Sequence, residues 1–323
     1  MGEKILEIKN FNVTYKNSEK KVYAVKDANF SIDKGDSLGI VGESGSGKST
    51  LAMAVLRLLP EDSSIISGEA IFLGKNILEL SEEELRNLRW DELSVVFQKS
   101  MNSLSPVHKI GDQIQDIYKV HRPDATEEEI REKCNFLFKL VNLSDRVYDL
   151  YPHELSGGML QRISIAISLI HDPSLLILDE ATTALDVVTQ GQILDEIRKM
   201  ETELNMTRIM ITHDMSVVAA SCNKIAVMYA GEFMEVGYAK DILKNPKHPY
   251  TVGLIKSFPA LKGEKTELKA IKGYLPDLSE QDDSCIFASR CEHATEKCKT
   301  CKPASVQLED GRTICCHLYG GKE

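Results

Sequence analysis

An α/β fold built around a largely parallel sheet is what this sequence predicts, and three observations predict it. A short apolar run, DSLGIVG at 36–42, enters a glycine-rich loop and is followed by the helically spaced STLAMAVLRLL at 49–59. A second buried-strand pattern, LLILDE at 175–180, stands between two helical stretches. From about residue 155 onward, helical and strand patterns alternate, the order that lays parallel strands beside one another under covering helices.

Each element follows from local pattern. KILEIKNFNVTY at 4–15 alternates apolar and polar residues, and VYAVKDANFSI at 22–32 follows the polar break KNSEKK, so both read as strands. SEEELRNLRW at 81–90 places Glu84 three residues after Ser81, the signature of a capped helix start. From there to about residue 149 the chain is charged and helical, interrupted at Pro106 and Pro123. ELSGGMLQRISIAISLI (154–170) and TQGQILDEIRKMETEL (189–204) are helices flanking the LLILDE strand. TRIMITHD (207–214) and KIAVMYAG (224–231) are strands with a further helix between them. After Gly237 the character changes: KNPKHPY and later glycines and prolines read as linkers around a small appended module. No internal repeat is visible.

Composition narrows the class. The 323 residues carry a formal net charge of −10, which argues against a nucleic-acid footprint, where basic patches prevail. No apolar run reaches the ~18 residues of a membrane span. The opening MGEKILEIKNFNV lacks the basic-then-apolar layout of a signal peptide, which points to a cytoplasmic chain with reduced thiols.

GESGSGKST at 42–50 fits G-x-x-x-x-G-K-[ST] between a strand and a helix. Gly42, Gly45 and Gly47 let the backbone curl so that its N–H groups face a phosphate at the helix N-terminus. Ser44, Ser46 and Thr50 complete the cradle, Lys48 reaches the β- and γ-phosphates, and the Ser49 hydroxyl ligates Mg²⁺. Asp179, at the end of the LLILDE strand, suits the same Mg²⁺ shell, and Glu180 suits general-base activation of a water. Alone, that acidic pair would be no more than a strand terminus. Downstream of a phosphate loop it reads as catalytic.

LSGGMLQR at 155–162 then makes the chain resemble the ATP-binding-cassette (ABC) ATPases. The resemblance spans residues 4–240 and implies a P-loop NTPase fold with an antiparallel β subdomain, a helical subdomain at about 99–165, and an extension at 241–323. It implies that Ser156, Gly157 and Gly158 grip the γ-phosphate of ATP held by an opposite subunit; a plain helix cap is the simpler role for Ser156, and the two are compatible. Tyr15 matches the aromatic that stacks on adenine, Gln98 the Mg²⁺-sensing glutamine, and His213 in ITHD the switch histidine. Asp186 in the Ala184–Asp186 stretch matches the loop that crosses the dimer interface. YPHELSGGM, ALDVVTQGQIL and NPKHPYTVGLIKSFP further resemble the ATPase subunits of oligopeptide/dipeptide importers. That family implies ATP hydrolysis for peptide import at the cytoplasmic face of the membrane. It also implies a second ATPase (identical or homologous), two permease subunits and, indirectly, an extracellular binding protein. Another single-cassette importer, for a metal or other solute, or a non-transport ABC ATPase is the alternative.

Six of the eight cysteines fall in the last 39 residues: Cys285, Cys291, Cys298, Cys301, Cys315 and Cys316. Clustered thiols in a reducing compartment suggest metal before disulfides. The irregular spacing favours a four-cysteine iron–sulfur cluster, with zinc as the alternative and buried inert thiols as the bland one. The family element C-x-F-x-x-R-C, seen here as CIFASRC, and the closing CHL imply Cys285, Cys291, Cys298 and Cys316 as ligands, with Cys301 as substitute. Cys301 and Cys315 are additions to that pattern.

Overall fold

In the computed structural model, residues 2–16, 20–98, 100, 103–182, 185–257, 271–280 and 283–320 are described. Lys99, where the expected helical subdomain begins, and Ala184 lie outside them. The chain divides into two units, one of residues 1–79 and 210–323, the other of residues 80–209.

The first unit opens with β1 (Lys4–Lys16), β2 (Lys21–Asp33), β3 (Ser37–Val41), α1 (Lys48–Val55), β4 (Ser64–Phe72) and β5 (Lys75–Asn76). Antiparallel pairing gives a four-stranded sheet in the order β2-β1-β4-β5. Strand β1 shows why its apolar pattern changes phase. Leu6 and Ile8 are buried, then Phe11 and Val13, an even-to-odd switch. Successive strand residues point to opposite faces, so such a switch needs an extra residue. The register shift between Ile8 and Phe11 supplies it, with Asn10 at φ 45°. Helix α1 stops earlier than its periodicity suggests, because Arg57 adopts φ 50° and ends the run before Leu58 and Leu59.

The second unit holds α2 (Glu82–Leu88), β6 (Leu93–Val96), α3 (Ile110–His121), α4 (Glu127–Leu140), α5 (Gly157–Ser168), β7 (Leu175–Asp179) and α6 (Val187–Leu204). Strand β8 (Thr207–Thr212) straddles the division in sequence. The expected capping box at Ser81 and Glu84 is formed, and Thr126 with Glu129 forms another at α4. Parallel pairing joins β6 to β7, whose five residues are all buried, as a strand covered on both faces must be.

After β8 the first unit continues with α7 (Met215–Ser221), β9 (Lys224–Tyr229), β10 (Glu232–Tyr238), α8 (Ala239–Lys244), α9 (Pro249–Lys256), α10 (Glu296–Thr300), β11 (Ser305–Gln307) and β12 (Thr313–Cys315). Strand β3 pairs parallel with β9, and β9 turns through Ala230 and Gly231 into antiparallel β10. The KNPKHPY stretch read as linker differs from expectation. His248 caps α9 by accepting the Tyr250 N–H on Nδ1, Pro249 supplies the preset first turn, and His248 and Tyr250 are both buried. Burial pulls the His248 imidazole down to about 3, so it stays neutral. The tail is tied in by β12, which pairs with β10 and with β11. Among the described residues no helix is long and apolar enough to cross a membrane.

Candidate functional site

The loop between β3 and α1 is shaped by glycines that admit no side chain. A Cβ on Gly42 would lie 2.0 Å from the Met228 carbonyl oxygen, and one on Gly47 would lie 2.2 Å from that of Ala24. Gly47 also stands at φ 98°, a left-handed conformation that glycine adopts without strain. Helix α1 therefore starts abruptly at Lys48, with no side-chain cap and no acidic residue in its first turn. A helix start without a side-chain cap, with the positive end of its dipole toward the loop, suits an anion. Lys48, 5% exposed, folds back over the loop. Its Nζ donates to the carbonyl oxygens of Gly42 (2.9 Å) and Glu43 (2.8 Å) and lies 3.3 Å from the Ser46 hydroxyl. Ser46 is buried, whereas Ser44, Gly45 and Ser49 are exposed on the open side. Tyr15, half-buried on β1, meets the Thr50 hydroxyl at 3.3 Å. His213 follows β8 directly and is exposed, one residue before Asp214 caps α7.

In the second unit, Asp179 ends β7 and is 5% exposed. Glu180 follows at φ 50°, a conformation rare for residues other than glycine, which is the kind of local strain found where side chains act. The Gln98 amide donates to Glu180 Oε2 at 3.3 Å, so two residues separated by 82 positions meet at one carboxylate. Ser156 caps α5, its Oγ accepting the Met159 N–H at 3.3 Å, while Ser156 and Gly157 remain exposed and Gly157 has open space where a Cβ would be. Asp186 caps α6, accepting from the Thr189 hydroxyl (2.6 Å) and from the N–H groups of Val188 and Thr189. Those bonds hold its carboxyl below the usual range. Beside it Val187 and Val188 are exposed.

The tail brings five of its six thiols into electrostatic contact. The Cys285 N–H donates to the Cys298 carbonyl at 2.8 Å, and Cys298 Sγ lies 3.4 Å from the Thr295 hydroxyl. Burial pushes the Cys285 thiol up to about 11, and the charges of Cys298, Cys316 and Cys291 push the same way. Cys291 and Cys316 are raised for the same two reasons. Cys315, raised to about 12 mainly by burial, instead donates to the Pro303 carbonyl at 3.2 Å. Cys301 is exposed and faces the Lys302 carbonyl. Electrostatic contact links Cys285, Cys291, Cys298 and Cys316, the four the family pattern implies, and it reaches Cys315 as well. The metal expectation fares differently. Among the described residues no group of three or more His, Cys, Asp or Glu stands where it could hold a metal ion, so the iron–sulfur and zinc expectations find no support there.

Sequence reading missed three residues around the phosphate loop: Glu43, Tyr250 and Arg290. The Glu43 N–H donates to the Tyr250 hydroxyl at 3.1 Å, and Arg290 pairs with the Glu43 carboxylate at 2.9 Å. CIFASRC contains that arginine between two noted cysteines, which was the one available signal.

Residues 25–183 match the family described as ABC transporter, and residues 234–298 match the oligopeptide/dipeptide transporter C-terminal region. The oligopeptide transport ATP-binding protein OppD of Salmonella typhimurium is 42% identical over 314 residues, covering 97% of this chain and 93% of that protein. The dipeptide transport ATP-binding protein DppD of Caldanaerobacter subterraneus subsp. tengcongensis is 38% identical, covering 98% of this chain and 97% of the relative. Among solved structures, the ATP-binding cassette MJ0796, dimeric in a post-hydrolysis state with ADP and Pi, superposes with a TM-score of 0.64 at 30% identity. That match covers 72% of this chain and 98% of MJ0796.

Proposed function

The chain belongs to the ATP-binding proteins of the oligopeptide/dipeptide ABC transporters, and from that premise we propose which residues bind and cleave the ATP that powers peptide import. The observation that carries the assignment is the loop at 42–50, with its uncapped α1 and its folded-back Lys48. Lys48 leaves its loop carbonyls to meet the β- and γ-phosphates, and the N–H groups of 45–50 receive phosphate oxygens. Tyr15 stacks on the adenine. Ser49, Gln98 and Asp179 serve Mg²⁺, which supplies charge neutralisation at the transferring phosphoryl group.

Glu180 accepts a proton from the attacking water, Gln98 orients the carboxylate that does so, and His213 contacts the γ-phosphate. Ser156, Gly157 and Gly158 bind the nucleotide of an opposing cassette, and Asp186 lies on the loop that meets it. ATP binding closes the pair, and hydrolysis with release reopens it. In this division residues 1–240 are the nucleotide-binding part, with a helical subdomain at about 99–165, and residues 241–323 are an accessory extension. The chain acts as a peripheral subunit on the cytoplasmic side, with a second ATPase, two permease subunits and, beyond the membrane, a peptide-binding protein. The test is uptake of labelled di- and tripeptides by vesicles holding the assembled transporter. ATP-dependent uptake that Lys48→Ala abolishes is expected; ATP-dependent uptake of a different solute class, with peptides ignored, would sink the reading.

We also infer that Cys285, Cys291, Cys298 and Cys316 ligate an iron–sulfur cluster. Support comes from the element CIFASRC with the closing CHL, and from the Cys285 N–H meeting the Cys298 carbonyl at 2.8 Å; the irregular spacing of the thiols favours a cluster over zinc. The group would fold a short polar segment that lacks a core of its own. Anaerobically purified protein is expected to carry roughly four irons and four acid-labile sulfides per chain, and to lose them on Cys298→Ser but not on Cys301→Ser. One zinc with no colour, or no metal at all, would overturn the inference.

A further inference from the structure

Arg290 belongs to the cysteine-rich tail, yet its guanidinium ends on the phosphate loop. Its Nη1 lies 2.9 and 3.0 Å from the two Glu43 carboxylate oxygens and 3.3 Å from the Tyr229 hydroxyl. Nη2 donates to the Ile271 carbonyl at 3.1 Å and Nε to that of Lys272 at 2.8 Å. The Arg290 side chain is 4% exposed. A solvated surface pair would be worth little, but a buried guanidinium held by five acceptor atoms is preorganised.

Glu43 is gripped at every polar group that faces the protein. Its carboxylate takes Arg290, its N–H donates to the Tyr250 hydroxyl at 3.1 Å, and its carbonyl accepts Lys48 Nζ at 2.8 Å. Tyr250 is fully buried and is itself set by His248, whose ring is hydrogen-bonded to the Cys315 backbone. Leu275, in the segment before the tail, stands 3.5 Å from where a Cβ on Gly45 would be. Two routes of direct contact therefore run from the tail to one residue of the loop. That residue is also electrostatically awkward. A carboxylate in a loop that must receive a triphosphate repels its ligand unless a cation neutralises it.

We propose that Arg290 is a positioning residue for ATP: it neutralises Glu43 and fixes the loop residue whose carbonyl seats Lys48, so that affinity for nucleotide depends on the tail. This rests on the reading that the loop at 42–50 holds ATP. Loss of Arg290 leaves the Glu43 charge facing the phosphates and frees the loop to shift. The effect falls on binding, because neither residue touches the water or its base.

The test is ATP titration and steady-state hydrolysis with the full chain. Arg290→Ala is expected to raise KM for ATP and the Kd of a fluorescent ATP analogue about tenfold, with kcat within about twofold. Arg290→Lys, which keeps the charge and loses the fork, should fall between. Adding Glu43→Gln to Arg290→Ala removes the unneutralised carboxylate and should return KM to within about threefold of the parent, a rescue that a merely structural role would not allow. Glu43→Gln alone, which leaves the tail undisturbed, should bind ATP about twofold more tightly. An unchanged KM in Arg290→Ala, an equal loss in the double variant, or weaker binding by Glu43→Gln alone would each overturn the proposal. Lys48→Ala separates it from its premise: if that variant keeps full ATP affinity, the loop assignment fails rather than the role of Arg290.

Discussion

Replacing Glu180 with glutamine is expected to cut ATP turnover by at least about 100-fold while ATP affinity stays within about twofold of the parent. The amide matches the carboxylate in shape, so the unusual backbone at φ 50° and the contact with Gln98 at 3.3 Å can persist after an amide flip. What disappears is the ability to accept a proton from water. General-base catalysis contributes typically 10²–10⁴-fold, and that is the loss a single-turnover experiment should read in the chemical step. Because hydrolysis reopens the closed pair in the proposed cycle, the same variant should accumulate as an ATP-bound dimer on a sizing column. Steady-state hydrolysis near the parental rate would remove Glu180 from the role of base.

The second large effect is on stability. Arg312→Met is expected to lower the free energy of unfolding by about 3–5 kcal/mol, a sizeable part of what a domain usually has. Arg312 is 3% exposed as a side chain and Glu235 is 0% exposed, with 3.1 Å between them. The same guanidinium donates to the Asn245 carbonyl at 2.7 Å and pairs with Asp310 at 2.6 Å. The stem crosses β10 at Gly237, where a Cβ would lie 2.3 Å from Arg312 Cγ. Removing the cation leaves the Glu235 carboxylate buried with, among the described residues, the Lys247 and His248 N–H groups at 2.9 to 3.1 Å. The pairing is worth less than its rupture costs, since both groups were desolvated to make it. Accordingly, Glu235→Gln added to Arg312→Met should recover part of the loss by removing the stranded charge. Urea unfolding of the three proteins reads both values, and a loss below about 1 kcal/mol in the single variant would show that the site relaxes or hydrates.

Much of the nucleotide half was readable before any fold was known, for a reason that lies in spacing. A phosphate loop is made by neighbours: Gly42, Gly47 and Lys48 act through backbone conformation and reach within a few residues, so their order alone encodes the geometry. The capped start at Ser81 and Glu84 is local in the same sense, and the all-buried β3 and β7 announce themselves as unbroken apolar runs. The tail's cysteines stand out in the sequence by their number, while among the described residues no group of three or more His, Cys, Asp or Glu stands where it could hold a metal ion.

Other features were decided only in three dimensions. The phase switch in β1 depends on the bulge at Asn10, which pairing with β2 and β4 reveals and alternation by itself disguises. KNPKHPY reads as linker because proline and lysine are poor core formers, yet His248 and Tyr250 in it are buried by contacts with Glu235 and the tail. The union of Arg290 with Glu43 spans 247 positions of sequence. Sequence by itself determined the local chemistry of the loop, the strands and the helix caps, since each is set by residues a few places apart. Only the tertiary structure decided that a tail arginine would finish the loop, because a buried charge is satisfied by whatever the fold brings to it.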